Sequence, residues 1–214
     1  MTGIHGLAWT RRAAALAAAG VLTTVSLAAL AGPASAGTRG KPVHASYKVT
    51  GSTFLKGPDF TLALGPGKLS SSLNPSNGKL TATLKLPPAT GSFKQAGVIP
   101  VTSTTKFIDD GPTTGKVNLN TGAVKTTSKI TLQITSLIVA GITVPVGTKC
   151  ETKAPVVVKL TSEKGFNPLD GGTVSGSYTI GDFQHCLLAT SLINQTIPGS
   201  GNTITLTLGK AKIS

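Results

Sequence analysis

Apolar and polar residues alternate along several short stretches of this chain. In KLTATLKL, Leu80, Ala82, Leu84 and Leu86 share one side, with Thr81, Thr83 and Lys85 on the other. KITLQI sets out Ile130, Leu132 and Ile134 in the same way. NTITLTL opposes Ile204, Leu206 and Leu208 to Thr203, Thr205 and Thr207. TVSGSYTI aligns Val174, Tyr178 and Ile180, and PVVVKL aligns Val156, Val158 and Leu160. A period of two marks strands with one buried face, because successive side chains leave a strand on opposite sides. The Thr and Val content agrees, since branched side chains suit a pleated, half-buried surface. Turn sequences separate the runs: NPSNG, LPPATG, DDGPTTG, NTG, NPLDGG and PGSGN. Leu187 to Ile193, LLATSLI, is the one short helical candidate. This spacing predicts an all-β fold, an antiparallel β-sandwich of immunoglobulin-like or related type.

Two stretches echo each other. Gly78 and Gly122 each follow a Leu-Asn turn, 44 residues apart. Ser92 and Ser136, then Ala96-Gly97 and Ala140-Gly141, keep the same offset. One residue later in register, Ile99-Pro100-Val101 is answered by Val144-Pro145-Val146. The order predicts an internally duplicated hairpin unit. It also bears on TSLIVAGITVPVGTKC, Thr135 to Cys150, which is almost wholly apolar. With a counterpart earlier in the chain, this stretch reads as buried scaffold, with Pro145 at an edge or a bend. The competing reading makes both stretches exposed tips that meet a partner. Its candidate contacts are Val98, Ile99, Ile138, Val139 and Ile142.

Composition places the chain before it names a role. Arg11-Arg12, the uncharged run Ala13 to Ala31 and Ala34-Ser35-Ala36 read as a signal peptide over residues 1–36, cleaved near Ala36. General secretion fits better than twin-arginine export. No later segment is long and apolar enough for a transmembrane helix, so the mature chain is expected to be secreted. Residues 37–46 read as a flexible N-terminal arm and 47–214 as the β domain. After residue 36 there remain eighteen basic residues against seven acidic ones, a net charge of +11. Arg39 is the only arginine among them. Cys150 and Cys186 are the only cysteines, and in an exported protein they read as one disulfide rather than two free thiols. It would close a loop of about 37 residues, a constraint of roughly 3–4 kcal/mol on the unfolded chain.

Catalytic chemistry has little to work with. The mature chain holds His44 and His185 only. Asp182 precedes His185 by three residues, but no nucleophile-elbow sequence accompanies them. The Asp109-Asp110 pair sits in a turn sequence, DDGP, where Asp bonds local backbone. Neither a cofactor nor a metal is implied, and no specific nucleic-acid site is, because the lysines are dispersed singly and no aromatic residues interleave with them. The expected partners are an anionic cell-envelope polymer, a protein or a lipid. A membrane-active or pore-forming β protein is the alternative, because Thr-Ile-Thr-Leu alternation also suits barrel strands. A hydrolase using His185 and Asp182 is a third reading.

The segments PPATGSF, GITVPVGTKC, GFNPLDGGTVSGSYTI and IPGSGNTITLTL, with the Ala-rich leader ending in ASA, carry a resemblance. The chain resembles a group of uncharacterised exported all-β proteins of high-GC Gram-positive bacteria (actinobacteria). The resemblance implies an extracellular location and a β fold, and it carries over no catalytic residue. The expectation is a secreted, non-enzymatic protein that binds or supports the cell envelope through surface contacts.

Overall fold

The computed structural model describes residues 40–214. The expected signal peptide lies outside the described residues, as does the first part of the expected arm. Fourteen strands follow in chain order. They are β1 (Val43–Leu55), β2 (Phe60–Leu73), β3 (Lys79–Lys85), β4 (Ala89–Gln95) and β5 (Ile99–Asp109). Next come β6 (Thr113–Val117), β7 (Val124–Val139), β8 (Ile142–Thr143), β9 (Glu151–Thr152) and β10 (Val156–Ser162). Last are β11 (Gly172–Ile180), β12 (Phe183–Gln184), β13 (Gly199–Leu208) and β14 (Lys212–Ile213). A short helix, α1 (Thr190–Thr196), follows β12 after a single 3-10 turn at Leu187–Ala189. The ladder begins at Val43, so the last four residues of the expected arm are strand, paired to β2 from Val43 opposite Leu73.

Eight of these strands form a ring. Hydrogen-bonded neighbours run β10-β11-β13-β1-β2-β3-β6-β7, and β7 pairs back onto β10 from Val156 opposite Ile130 to Thr161 opposite Lys125. Every pairing is antiparallel. The fold is therefore an eight-stranded barrel, and the expected sandwich is corrected. The physical reason is simple: in-out alternation is the same on an open sheet and on a closed one. Curvature comes from glycines in mid-strand. A Cβ on Gly51 would collide with the Thr205 carbonyl on β13, and one on Gly176 with the Lys159 carbonyl on β10. Only glycine lets neighbouring backbones come this close and the sheet coil tightly.

The alternation read from the sequence sorts inside from outside. Ala45, Tyr47, Val49, Leu62, Leu64, Val174, Leu206 and Leu208 form the buried barrel core. Thr81, Thr83, Thr203, Thr205 and Thr207 are exposed on the outer wall.

The two ends of the barrel differ. At one end β2–β3, β6–β7 and β10–β11 are joined by short connections. At the other, three of the four connections carry insertions: β4 and β5; β8, β9 and the far half of β7; and β12 with α1. These insertions pack as a lobe with its own core, including Val101, Ile134, Leu137, Val146, Ile180, Phe183, Ile193 and Ile197. The Cys150–Cys186 disulfide lies at its centre, with both cysteines wholly buried. The long β7 joins the two regions, pairing with β6 and β10 in the barrel and with β5 in the lobe.

A buried polar knot ties the ring strands β1, β11 and β13 together at their lobe-side ends. Thr53 Oγ1 donates to the Thr203 carbonyl at 2.8 Å and accepts from the Tyr178 hydroxyl at 2.6 Å. Asn202, 1% exposed, accepts from the Lys56 N–H at 3.0 Å and donates to the Gly199 carbonyl at 2.9 Å.

The echoed sequences repeat their turn geometry. Gly78 N–H bonds the Asn74 carbonyl and Gly122 N–H the Asn118 carbonyl, both glycines with positive φ. Ala96-Gly97 and Ala140-Gly141 both turn with positive φ at the two central residues. The twisted-hairpin turn requires that combination. Between these turns the copies diverge. Pro87-Pro88 separates β3 from β4, whereas β7 runs unbroken through sixteen residues. Proline lacks the N–H that a ladder requires.

Candidate functional site

The outer wall of the barrel is the most unusual surface of the molecule. The eight ring strands carry Lys48, Lys68, Lys79, Lys85, Lys116, Lys125, Lys129 and Lys159 and not one acidic residue. All seven acids stand elsewhere, in turns or in the lobe: Asp59, Asp109, Asp110, Glu151, Glu163, Asp170 and Asp182.

Register gathers the lysines into rows. On β3, β6 and β7, Lys79 stands opposite Lys116, which stands opposite Lys125. On β1, β2 and β3, Lys48 stands opposite Lys68, which stands opposite Lys85. Directly opposed residues on adjacent strands bring their Cβ atoms to about 4.5–5.5 Å, so like charges there repel. Lys159 on β10 pairs with Thr127 and so extends the first row diagonally beyond Lys125. Together Lys79, Lys116, Lys125 and Lys159 line a shallow groove floored by Gly115, Thr81, Thr114, Thr127 and Thr161. None of the four takes part in an ion pair, the one salt bridge among the described residues being Lys153 to Asp182 at 3.5 Å. The second row has an acid near one end. Burial, then the neighbouring Asp110, push the Asp109 carboxyl above its ordinary range, and Lys85 pulls it back.

The sequence showed these lysines singly, because consecutive ones belong to different strands. The missing signal was register. It was written in the turns, whose lengths fix which residue faces which.

The residues singled out from the sequence fall in three places. Asp182 is engaged by Lys153, and no hydrogen bond joins it to His185. His185 is exposed beside the disulfide, with a positive φ. Asp110 accepts a hydrogen bond from the Thr131 hydroxyl across the neighbouring strand. Of the candidate partner contacts, Val98, Ile99 and Ile142 are exposed at the two hairpin tips, whereas Ile138 and Val139 are half-buried. The stretch is therefore divided: Leu137, Val146 and Cys150 lie in the lobe core, and Ala140 to Ile142 form a tip. Pro145 stands outside any strand, in the irregular segment after β8.

No described helix is long and apolar enough to cross a membrane. Compared with known proteins, the chain matches no family model, no curated protein and no solved structure.

Proposed function

We propose that this is an exported, non-enzymatic binding protein that attaches to an anionic polymer of the cell envelope through the lysine-lined wall of its barrel. The observation that carries this reading is the unneutralised row Lys79, Lys116, Lys125, set in register on three adjacent strands. Like charges in direct opposition cost stability in a sheet. An extended polyanion laid across the strands supplies the missing counter-charge. Lysine presents a mobile point charge rather than a planar fork, so this wall recognises charge density more than one fixed geometry. Export is supported by the charged, apolar and small-residue pattern of residues 1–36, and a buried disulfide suits an oxidising compartment.

Two other readings have less support. A pore-forming barrel needs an apolar outer band facing lipid. Here lysine and threonine stand outside and the apolar residues inside. A hydrolase needs His185 oriented by an acid, and Asp182 is turned to Lys153 instead.

The test is sedimentation of the mature protein with isolated cell envelopes over a salt series. Retention is expected at low salt and is expected to fall steeply as salt rises. The variant carrying Lys79→Gln, Lys116→Gln and Lys125→Gln should lose most retention and flatten the salt dependence. Absence of retention at every salt concentration would refute the reading, and so would full retention by the triple variant.

A second contact is proposed at the hairpin tips, supported by the exposure of Val98 (73%) and Ile142 (71%). Apolar side chains displayed on rigid turns suit a protein partner.

A further inference from the structure

The barrel is not filled. Between its inner wall and its open end lies a cavity of about 120 Å³. Its lining includes Tyr47, Leu69, Leu80, Ala82, Leu84 and Leu206. Polar groups are present, but most are already occupied. The Tyr47 hydroxyl donates to the Pro168 carbonyl at 2.8 Å, and Ser71 donates to the Ala45 carbonyl at 3.3 Å. The Thr113 and Ser128 hydroxyls bond each other at 2.7 Å. Among the described residues no buried side-chain nitrogen or oxygen lacks a partner. Water in such a space finds few of the two to four partners it needs, so a hydrocarbon is the better occupant.

The cavity is also accessible. Three of its lining residues, Val43, Leu169 and Ile213, are themselves exposed, which places a mouth at the end opposite the lobe. A tight loop stands over this mouth. Asn167 and Gly171 close it through reciprocal backbone bonds of 3.0 and 2.8 Å. Its tip is held by Tyr47 at Pro168 and by the Ala211 N–H at the Leu169 carbonyl, 2.8 Å away. The void is not forced by the fold. Ala45 and Ala82 point into it, and a larger apolar residue at either position would fill part of it. Unfilled apolar volume costs stability, and an occupant that buries hydrocarbon there restores it.

We infer that the barrel is a receptacle for a small hydrocarbon group, either a single-ring molecule or the end of an alkyl chain entering past Val43, Leu169 and Ile213. For scale, an apolar protein cavity of roughly 150 Å³ holds benzene. This inference is independent of the lysine wall, which lies on the outside of the same strands.

The experiment uses the mature, oxidised protein with benzene, n-hexane and sodium octanoate as separate probes. Methyl NMR reads the Val, Leu and Ile side chains, and thermal unfolding is followed in parallel. Saturable shifts confined to lining residues such as Leu80 and Leu206 are expected, with a rise in the midpoint for the bound probe. A response to benzene alone identifies a ring site. A response to hexane and octanoate identifies an alkyl site with its head group outside. Ala82→Leu should abolish the saturable response while leaving the far-ultraviolet dichroism unchanged. Ala45→Val serves the same purpose should Ala82→Leu fail to fold. The proposal is overturned when none of the three probes gives a saturable shift, or when the filled variant responds as strongly as the parent.

Discussion

The lobe and the barrel are built from the same alternating strands and end up packed differently. In the lobe, Ile134, Ile180, Phe183, Ile193 and both cysteines are almost completely buried around a covalent link. In the open half of the barrel, alanine at 45 and 82 leaves unfilled volume behind an apolar mouth. The cross-link is thus confined to one end and the larger void to the other: about 50 Å³ stays unfilled beside Ile134, Ile180 and Phe183, against about 120 Å³ in the barrel. The contrast teaches that a period of two specifies which side is buried, but not how completely.

Breaking the disulfide tests the contrast most strongly. The double variant Cys150→Ala, Cys186→Ala should lose about 3–4 kcal/mol. Its thermal midpoint should fall by roughly 6–15 °C. A change below ~2 °C would show that the lobe does not depend on its link.

Matched truncations come next. Ile193→Ala in the lobe should cost about 3–4 kcal/mol, because a tight surround cannot relax into the space. Leu80→Ala in the barrel should cost less, about 1–2 kcal/mol, since the cavity already deprives Leu80 of neighbours. Equal losses in denaturant unfolding would erase the distinction between the two regions. Asn202→Ala, at the lobe-side end of the barrel, should cost about 2 kcal/mol by leaving the Lys56 N–H and the Gly199 carbonyl without their side-chain partner.

Charge effects are smaller. Lys116 is the middle lysine of its row, so Lys116→Gln should raise the midpoint by about 1–2 °C at low salt and by nothing measurable at high salt. A destabilised variant would mean that the row is compensated.

Asp109 gives the smallest effect. Its folded-state carboxyl titrates above its unfolded value, so the folded chain holds the extra proton between those two values. Its contribution to stability therefore declines as pH rises through that window, and it is least favourable above it. Asp109→Asn should flatten the stability profile in the mildly acidic range and raise stability slightly at neutral pH. A profile identical to the parent's would contradict the raised titration.

Much of the fold was legible in the chain. Leu80, Ala82 and Leu84, Ile204, Leu206 and Leu208, and Val156 and Val158 turn inward as their spacing indicates. The cysteine pairing was legible too, as was a short helix near its end: Leu187–Ile193 was expected, and α1 begins three residues later at Thr190. Closure was not, because β7 meeting β10 leaves no local pattern. The mid-strand glycines in KVTGSTF and TVSGSYTI were the available hint, since strands that only pair flat have no use for them. The site was hidden for a related reason. Lys79, Lys116 and Lys125 are far apart in the chain and meet only once the four connections from β3 to β7 set their strands side by side.

The meander has one seam. Every neighbouring pair in the ring joins consecutive strands along the path except β1 with β13, where Phe54 meets Thr203. A chain that emerges from a ribosome first residue first therefore displays one raw side of β1 until the other seven ring strands have appeared. Along that side Val49 to Phe54 wait for β13, and Ala45 and Ser46 for β14, and in a crowded compartment that interval is when a sister molecule can take their place.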